Sequence, residues 1–345
     1  MSELPTIPVA CAHVAPVFLS TPRTTDKACD LIAEAARHGA RLIAFPETFI
    51  PAFPLWAGVR APIHNHGFFR RLAAGSLRID GPELGRVRET ARRHGMFVSM
   101  GFNEGTAASL GCIWNANVLI GEDGAILNHH RKLVPTFYEK LVWANGDGAG
   151  LRVCATPIGR IGMLICGENT NPLARFALMA EGEQIHIASY PPVWPTRDPG
   201  LDGNYDLGAA IRIRAGAHSF EAKGFTVVAA GYLDAASLEA IGAEDRAARD
   251  VLERSPRGVS MVVGPSGEPV GAELSDREGL LYATLDLGAC VEPKQFHDVV
   301  GGYNRFDVFQ LRVNRAAHRP VTFDGATDTV ADPVGRSGRS HPSRI

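Results

Sequence analysis

The chain lacks the features that mark several classes of protein. No apolar run reaches the ~18 residues that a membrane-spanning helix needs. The formal net charge is only -2, so electrostatics does not favour nucleic acid or an anionic membrane as the main partner. Six cysteines occur without CxxC spacing, which argues against a zinc site and a disulfide framework. The N-terminus has neither a basic leader nor a long apolar core, and we therefore expect a cytoplasmic protein.

The composition is typical of a globular protein, because 45% of the 345 residues are hydrophobic and 21% are charged. A chain of this length can bury one large core or two smaller ones. Strand and helix patterns alternate, which predicts an α/β layered domain with a mixed sheet. The first predicted helix has apolar residues at 28, 31, 32 and 35 and ends at Gly39. The other predicted helices lie near 83–94, 172–181 and 206–222, and the predicted strands are residues 9–12, 41–45, 96–101, 113–120, 151–154, 161–165, 185–189, 225–230, 259–263 and 280–285.

Some segments depart from this alternation. Residues 48–78 form a long insertion rich in Phe, Trp, Pro and His, a composition too ordered for a linker. Residues 315–345 are polar and rich in Gly, Arg, Ser and Pro, and we expect them to form a tail outside the core. Two glycine-containing turns, residues 121–124 and 264–267, predict hairpins.

The segment 164–172, LICGENTNP, places a cysteine between a strand and a helix. Residues 161–165 are apolar and follow a turn-like TPIG stretch, as expected of a buried strand. Asn171 and Pro172 then predict a helix start, with an Asx cap and a proline at the first helical position. Cys166 therefore occupies a strand-to-helix corner, which is an unusual position for a purely structural thiol.

Three chemically reactive residues follow three predicted strands. Glu47, Lys132 and Cys166 each come directly after one of them, and the strand before the lysine is residues 125–131. Sites in open α/β sheets lie beyond the carboxyl ends of the strands. We therefore expect the three side chains to converge although the sequence separates them widely.

These residue types suit acyl transfer at a carbon–nitrogen bond. A free thiol with a pKa of ~8.5 is only slightly ionised at neutral pH, and a helix N-terminus adds only ~0.3–1 kcal/mol. A carboxylate can take the thiol proton, and an ammonium group can stabilise the negative charge that develops on the substrate. Taken singly, each residue has a plainer interpretation: a small buried hydrophobe, a turn carboxylate or part of a solvated basic run.

Three segments, taken together, favour the catalytic interpretation by resemblance. Residues 45–49 (FPETF), 130–136 (HRKLVPT) and 164–169 (LICGEN) resemble, in order and spacing, the three signatures of the nitrilase, or carbon–nitrogen hydrolase, superfamily. The similarity runs from about residue 6 to residue 313. Three motifs in the family's order are far more specific than any one of them.

The resemblance implies a fold and a set of roles. The implied fold is an α/β protein, a four-layer α-β-β-α sandwich with two mixed sheets, which we assign to residues 1–314. The implied enzyme needs no cofactor and associates as a homodimer or a larger homo-oligomer. The implied catalytic residues, carried over by position, are a general base at Glu47, a cation at Lys132, a nucleophile at Cys166 and a lysine-orienting carboxylate at Glu139.

Within the superfamily the chain most resembles the nitrilase branch, on residues 131–136, 143–148 (WANGDG) and 190–192 (YPP). Two positions depart from that pattern. Gly167 stands where the branch usually has Trp after the cysteine, which predicts a larger or looser pocket. Gly302 stands where a C-terminal family segment usually has His, so any role of that His is missing here.

The implied reaction is hydrolysis of a small organic nitrile to a carboxylic acid and ammonia, through thioimidate and thioester intermediates on the cysteine. An amidase or N-carbamoyl hydrolase with the same triad, and a catalytically silent scaffold protein, stay open as alternatives. The paired histidines at 64/66 and 129/130 lack partners at ligand spacing, so we expect no metal. The predicted substrate-binding residues, which suit an aliphatic or arylaliphatic nitrile if they do not instead belong to the core, are Phe53, Trp56, Gly167, Tyr190 and Trp194, with His64 and Phe68.

Overall fold

The structure is a computed structural model that describes residues 4–243 and 245–318. Its strands are β1 (Thr6–His13), β2 (Leu42–Ala44), β3 (Phe97–Gly105), β4 (Ile113–Ile120), β5 (Ile126–Arg131), β6 (Cys154–Thr156), β7 (Gly159–Ile165), β8 (Ile185–Tyr190), β9 (Phe225–Ala230), β10 (Met261–Val263) and β11 (Gly279–Asp286). They form a six-stranded sheet in the order β11-β1-β2-β3-β4-β5 and a five-stranded sheet in the order β10-β9-β8-β7-β6. Both sheets are mixed, because a parallel centre is flanked by antiparallel strands.

The helices are α1 (Thr21–Arg37), α2 (Trp56–Val59), α3 (His66–Gly75), α4 (Pro82–His94), α5 (Pro172–Met179), α6 (Leu207–Ala222), α7 (Ala235–Gly242), α8 (Arg246–Arg254) and α9 (Val291–Lys294). Of these, α1 and α4 cover the outer face of the first sheet and α5 and α6 that of the second, whereas α2, α3, α7 and α8 contribute to a separate apolar cluster. Shorter 3-10 turns include Phe137–Leu141 and Cys166–Thr170, which carry site residues. Within the described ranges, no helix is both long and apolar enough to cross a membrane.

Four layers follow from the period of two along the strands, which sends successive side chains to opposite faces of a sheet. On β1, Val9 packs in a cluster with residues of the second sheet, whereas Ala10 packs against α1 and α4. On β9, Val227 faces the first sheet and Val228 faces α6. The two sheets therefore share one apolar interior and each has helices outside it. This arrangement confirms the α-β-β-α sandwich that the resemblance implied.

Helix α5 begins at the predicted position. The Asn171 side chain accepts hydrogen bonds from the N–H groups of Leu173 (3.0 Å) and Ala174 (3.4 Å), and Pro172 is the first helical residue. These bonds satisfy donors that a helix start otherwise leaves without partners. The cap therefore fixes the direction in which the chain leaves the turn that Cys166 begins.

Two parts of the chain differ from the sequence pattern. A strand is predicted at 151–154, but only Cys154 belongs to one, the short edge strand β6. Leu151 is buried in a cluster with α5, so its apolar character reflects packing and not strand pairing. Residues 235–242 and 246–254, for which we predict no helix, form α7 and α8. Each of these helices begins with an aspartate cap that accepts a backbone N–H, a signal that the sequence carries.

The remaining segments follow the sequence pattern more closely. Residues 48–78 contain α2 and α3, whose buried side chains form a separate apolar cluster. The turn 121–124 joins β4 and β5 as a hairpin, with the Gly124 N–H donating to the carbonyl of Gly121 (2.8 Å). The turn 264–267 also folds the chain back on β10, but through two isolated antiparallel bridges, Val263 to Pro269 and Ser260 to Leu274, and not through a second regular strand.

The C-terminal part of the described chain, residues 295–318, contains neither a regular helix nor a strand. Arg315 forms an ion pair with Glu181, and the His318 N–H donates to Asp147 (3.0 Å). The first residues of the predicted polar tail therefore lie along the domain. The rest of that tail, residues 319–345, lies outside the described residues.

Candidate active site

Three strand ends meet at the candidate active site. Glu47 follows β2, Lys132 follows β5 and Cys166 follows β7. The Cys166 Sγ atom lies within 4.8 Å of a carboxylate oxygen of both Glu47 and Glu139, and Lys132 Nζ lies 2.8 Å from Glu47 Oε1. The structure thus brings together the side chains that the sequence predicts to converge.

Gly101 on β3 makes room for the segment that carries Glu47. A Cβ atom at this position would collide with the carbonyl oxygen of Pro46 and would lie 2.8 Å from the Thr48 nitrogen. Any larger residue would therefore push the glutamate-bearing segment away from the sheet. The close approach is a backbone requirement for the site geometry.

Lys132 lies between two carboxylates. Its Nζ donates to Glu47 Oε1 at 2.8 Å and to Glu139 Oε2 at 2.6 Å, and all three side chains are 0% exposed. Burial by itself lowers the pKa of a lysine, because it removes the hydration of the ammonium group. Here the attraction of Glu139 and Glu47 outweighs burial and raises the pKa of Lys132 well above its ordinary value. The lysine therefore stays a cation.

Glu139 is held by three donors. Its Oε2 accepts hydrogen bonds from Lys132 and from the Thr136 N–H (2.8 Å), and its Oε1 accepts one from Trp194 Nε1 (3.2 Å). Thr136 and Glu139 also form the capping box of the turn Phe137–Leu141. Both carboxylate oxygens are thus engaged, so this group is suited to orient the lysine and not to exchange protons.

Glu47 is held on one side only. Its Oε1 accepts from Lys132 and from Asn115 Nδ2 (2.6 Å), whereas its buried Oε2 has no hydrogen-bond partner among the residues that the structure describes. Burial raises the pKa of Glu47 to about 7, because the loss of hydration outweighs the attraction of Lys132. A carboxyl group with this pKa and a free oxygen can accept and return a proton at neutral pH.

Cys166 begins the turn Cys166–Thr170 with a left-handed backbone φ of +50°. Such a conformation costs a non-glycine residue about 1–3 kcal/mol and persists only where the surroundings hold it. Thr48 (φ +44°) and Phe137 (φ +50°) have the same conformation beside the other two site segments. The thiol is buried, and burial together with the Glu47 charge raises the pKa of Cys166 well above its ordinary value. The resting sulfur is therefore a thiol that needs a base.

Glu168 ties the lysine-bearing segment to the cysteine-bearing segment, a role that the sequence analysis missed. Its Oε1 accepts the Leu133 N–H (2.6 Å), and its Oε2 accepts the Ile165 N–H (2.8 Å). The first of these residues follows the lysine, and the second precedes the cysteine. His130 Nε2 lies 2.9 Å from the same carboxylate. The motif after the cysteine contains this glutamate, but its partners are distant in sequence, so motif spacing alone could not show the link.

A second network of buried hydrogen bonds holds the backbone of the cysteine. Asn169 Nδ2 donates to the Cys166 carbonyl (3.0 Å), and Asn169 Oδ1 lies 2.7 Å from His186 Nε2. Glu183 lies 2.8 Å from His186 Nδ1 and 2.7 Å from His218 Nε2. This chain of contacts anchors the strained turn to β8 and α6 and fixes the direction of the sulfur.

Two sets of described residues have the spacing of metal ligands: Glu183, His186 and His218 form the first, and Glu47, Glu139 and Cys166 form the second. In the first set, the carboxylate oxygens already bind the two histidine rings. In the second set, the Lys132 ammonium group already lies between the carboxylates. His129 and His130, adjacent in sequence, bind the separate carboxylates of Glu104 and Glu168. Each glutamate in the two sets is therefore already engaged by hydrogen bonds or ion pairs within the protein.

Three of the predicted substrate-binding residues lie beside the triad. Tyr190 is fully buried in the same apolar cluster as Cys166, and the Trp194 ring packs against that cluster. Phe53 and Glu47 both line a small cavity of about 20 Å³. Their contact with substrate stays a prediction, but their positions agree with it.

Trp56, His64 and Phe68 do not line the cavity beside Glu47. Trp56 is 1% exposed, and its ring stacks on Phe68 at 5.1 Å in the apolar cluster of the insertion. His64 and Phe68 line a separate surface cavity of about 360 Å³. The structure therefore gives the first of these residues a packing role and places the other two at another surface.

Gly167 lines a further cavity of about 290 Å³ together with Thr136. A Cβ atom on Gly167 would lie 2.8 Å from Thr136 Oγ1. A side chain at this position would therefore require the Thr136 hydroxyl, which caps the turn that carries Glu139, to move.

A family model for carbon–nitrogen hydrolases matches residues 8–295. The chain belongs to the carbon–nitrogen hydrolase family. A relative named nitrilase, from Paraburkholderia phymatum, is 34% identical over 346 residues, covering 98% of this chain and 97% of the relative. An arylacetonitrilase from Hypocrea virens is 33% identical, covering 89% of this chain and 91% of the relative.

The fold of this carbon–nitrogen hydrolase also resembles that of solved family structures. The carbon–nitrogen hydrolase from Helicobacter pylori G27 matches with a TM-score of 0.66 and 19% identity, covering 88% of this chain and 97% of the other. At that identity the likeness supports the fold alone. The family match includes the positions of all four site residues, Glu47, Lys132, Glu139 and Cys166.

Proposed function

We propose that this carbon–nitrogen hydrolase is a nitrilase, which hydrolyses a small organic nitrile to a carboxylic acid and ammonia. One observation carries the proposal: Cys166 Sγ lies within 4.8 Å of a carboxylate oxygen of Glu47, whose buried Oε2 has no partner in the part of the chain that the structure describes. Lys132 is fixed beside them. A nucleophile, a base and a cation therefore share one small volume. The names of the two relatives, nitrilase and arylacetonitrilase, favour a nitrile over an amide as substrate.

In the first half-reaction, Cys166 attacks the nitrile carbon while Glu47 takes the thiol proton through Oε2. A carbon–sulfur bond forms, one π bond of the nitrile breaks, and the nitrogen takes the proton, which gives a thioimidate. Lys132 stabilises the negative charge that develops on the nitrogen. Because Glu139 already holds the lysine, this charge stabilisation needs little rearrangement during the reaction.

In the second half-reaction, water adds to the thioimidate carbon as Glu47 accepts one of its protons. The tetrahedral intermediate expels ammonia and becomes a thioester. A second water hydrolyses the thioester, releases the acid and restores the Cys166 thiol. One nitrile and two waters thus give one acid and one ammonia. Loss of the sulfur before ammonia would release an amide instead.

The small cavity that Glu47 lines has room for one water molecule. Its volume is about 20 Å³, and a water molecule needs at least about 10–15 Å³. Most of the lining is apolar, including Pro46, Phe53 and Pro192. A water in this cavity would lie next to the carboxylate that activates it.

A matched substrate panel tests the proposed activity. Ammonia release is measured from phenylacetonitrile and hexanenitrile, and from the amides with the same acyl groups. Release from the nitriles at a higher kcat/KM than from the matched amides supports a nitrilase. Release from the amides alone would assign an amidase or N-carbamoyl hydrolase that uses the same triad. No release from either series would favour a catalytically silent scaffold.

We expect kcat/KM for a neutral nitrile to rise with pH through an inflection near 7. The active form of the base is the ionised carboxylate, and burial raises the pKa of Glu47 to about 7, so activity is present above that pH and lost as the pH falls. The measurement is kcat/KM from about pH 5 to 9. Exposed Glu89→Gln is the matched control and should keep the same profile. An activity that falls as the pH rises through 7 would mean that protonated Glu47 is the working form.

We also propose that the protein is a homodimer or a larger homo-oligomer. Large apolar side chains are exposed on the two helices nearest the nucleophile: Leu173 on α5 (61%), and Ile213 (72%) and Phe220 (47%) on α6. Their burial against a second copy would remove this apolar surface from water. In sedimentation velocity at micromolar concentration, we expect a species larger than the 37.0 kDa monomer. A monomer alone would contradict this.

Two further proposals concern organisation and location. Residues 1–314 form the catalytic domain and residues 315–345 a polar tail, which limited proteolysis would release first.

The six cysteines are free, which supports a reducing, cytoplasmic setting. Fractionation that finds the native protein in a secreted or periplasmic pool would overturn the second proposal.

A further inference from the structure

Arg214 on α6 directs a guanidinium group toward the turn that carries the nucleophile. Its Nε donates to Thr170 Oγ1 at 2.6 Å, and Thr170 ends the turn that Cys166 begins. Its guanidinium carbon also lies 5.8 Å from the centre of the Tyr205 ring. The side chain is half-buried, so part of its hydration is already lost.

No carboxylate pairs with this arginine within residues 4–243 and 245–318. Two other arginines on α5 and α6 do have such partners. Arg212, two residues earlier on α6, binds Glu273, and Arg175 on α5 binds Glu221. A partly buried charge is costly unless an opposite charge compensates it. Arg214 is therefore placed to receive an anion from outside the chain.

The contacts of Tyr205 connect Arg214 to the catalytic groups. The Tyr205 ring packs edge-on against Trp194, with ring centres 5.4 Å apart. Trp194 donates to Glu139 at 3.2 Å. Trp194 and Tyr205 both pack against the apolar cluster that contains Cys166. A substrate bound at the sulfur would therefore extend toward the aromatic side chains that lie beside the guanidinium group.

Tyr190 supplies an independent observation. Its side chain is fully buried, yet its hydroxyl has no hydrogen-bond partner among the described residues. Tyr190 belongs to the same apolar cluster as Cys166, and Tyr205 packs against that cluster. An unpartnered buried hydroxyl costs free energy unless a polar group of a ligand completes its hydrogen bond.

We infer that Arg214, with the hydroxyl groups of Tyr205 and Tyr190, forms a carboxylate-binding subsite beside the nucleophile, so that the preferred substrate is an aliphatic nitrile that carries a carboxylate. The inference rests on the proposed function and specifies its substrate class. A guanidinium group matches the two oxygens of a carboxylate with two parallel hydrogen bonds. The two phenol groups each keep a proton that can be donated to the same anion. The cyano carbon of the substrate then lies at the sulfur, while the carboxylate at the other end of the substrate is held at α6.

The test compares 5-cyanopentanoate with its methyl ester, which has the same chain and no charge. We expect the wild-type protein to favour the anion in kcat/KM by about tenfold or more. In Arg214→Met, the anion-to-ester ratio should fall by about 10- to 100-fold, mainly through a higher KM for the anion. Arg214→Lys, which keeps the charge but not the planar fork, should give an intermediate ratio. Arg212→Met on the same helix is the matched control and should keep the wild-type ratio.

Several outcomes would overturn the subsite. One is a wild-type preference for the ester. Another is an equal loss of kcat/KM for both substrates in Arg214→Met. That result would mean that the arginine stabilises the thiolate or the fold and does not bind the carboxylate of the substrate. If neither nitrile is hydrolysed, the proposed function fails, and the amides of the same two acids then give the same ratio test. If no substrate is hydrolysed, calorimetric titration of wild type and Arg214→Met with adipate decides: equal affinity rejects the subsite, and weaker binding by the variant supports it.

Discussion

Replacing Cys166 by alanine is expected to lower nitrile turnover by about 10⁴-fold or more while the protein stays folded. Loss of a nucleophile removes the covalent route altogether, and losses of this size follow removal of a catalytic nucleophile in other hydrolases. The change removes one buried sulfur atom from a side chain that is 5% exposed, which costs only about 1–2 kcal/mol of stability. The measurement is ammonia release together with circular dichroism and thermal unfolding.

Intact-mass spectrometry sharpens this prediction. Brief exposure of the wild-type protein to an excess of phenylacetonitrile should leave an acyl or imidoyl adduct on Cys166, and the alanine variant should show none. Cys29→Ala, a half-buried cysteine on α1, is the matched control and should keep both activity and adduct. Unchanged turnover in Cys166→Ala would remove the nucleophile from the mechanism and revive the scaffold alternative.

Replacing Lys132 by methionine is expected to lower both activity and stability. The lysine ammonium group lies 2.8 Å from Glu47 and 2.6 Å from Glu139, and none of these side chains is exposed. Removing it leaves two buried carboxylates without their cation, and breaking such a pair costs about 3–5 kcal/mol. Activity should fall by about 10³-fold, because the charge on the substrate nitrogen loses its stabiliser. The measurements are kcat and the unfolding midpoint at pH 8.

The pH dependence separates this electrostatic cause from a simple packing defect. Burial already raises the pKa of Glu47 to about 7 against the attraction of Lys132, and the variant loses that attraction. The variant's stability deficit is therefore largest at pH values where Glu47 is ionised, and it shrinks as the pH falls to about 5 and this carboxylate becomes protonated. Adding Glu139→Gln should restore part of the stability but not the activity.

The surface pair of Lys27 and Glu278 supplies the matched control for this variant. Lys27→Met should cost about 1 kcal/mol or less at either pH. A midpoint of Lys132→Met that matches the wild-type protein at pH 8 would contradict the buried-pair argument. Full activity in that variant would remove the lysine from the mechanism.

Much of the fold could be predicted because its signals are local. The alternation of Val9 and Ala10 between two faces, and the cap formed by Asn171 and Pro172, depend on residues close together in the chain. Local signals also fail where a residue is apolar because its side chain packs against a helix and not because its backbone pairs in a sheet. Leu151 is apolar because it packs against α5 and not because it belongs to a strand.

The sequence by itself determined the types of reactive group, their order and their place after strand ends, and through three motifs it indicated the family. The resemblance assigned different roles to the two carboxylates, but only the tertiary structure gave the physical basis: Glu139 accepts from three donors, whereas Glu47 Oε2 has no partner among the described residues. The same holds for the link made by Glu168 and for the position of Arg214. The physical reason is that hydrogen bonding and desolvation depend on distances between residues far apart in the chain. The packing of the two sheets sets those distances, and sequence periodicity does not contain them.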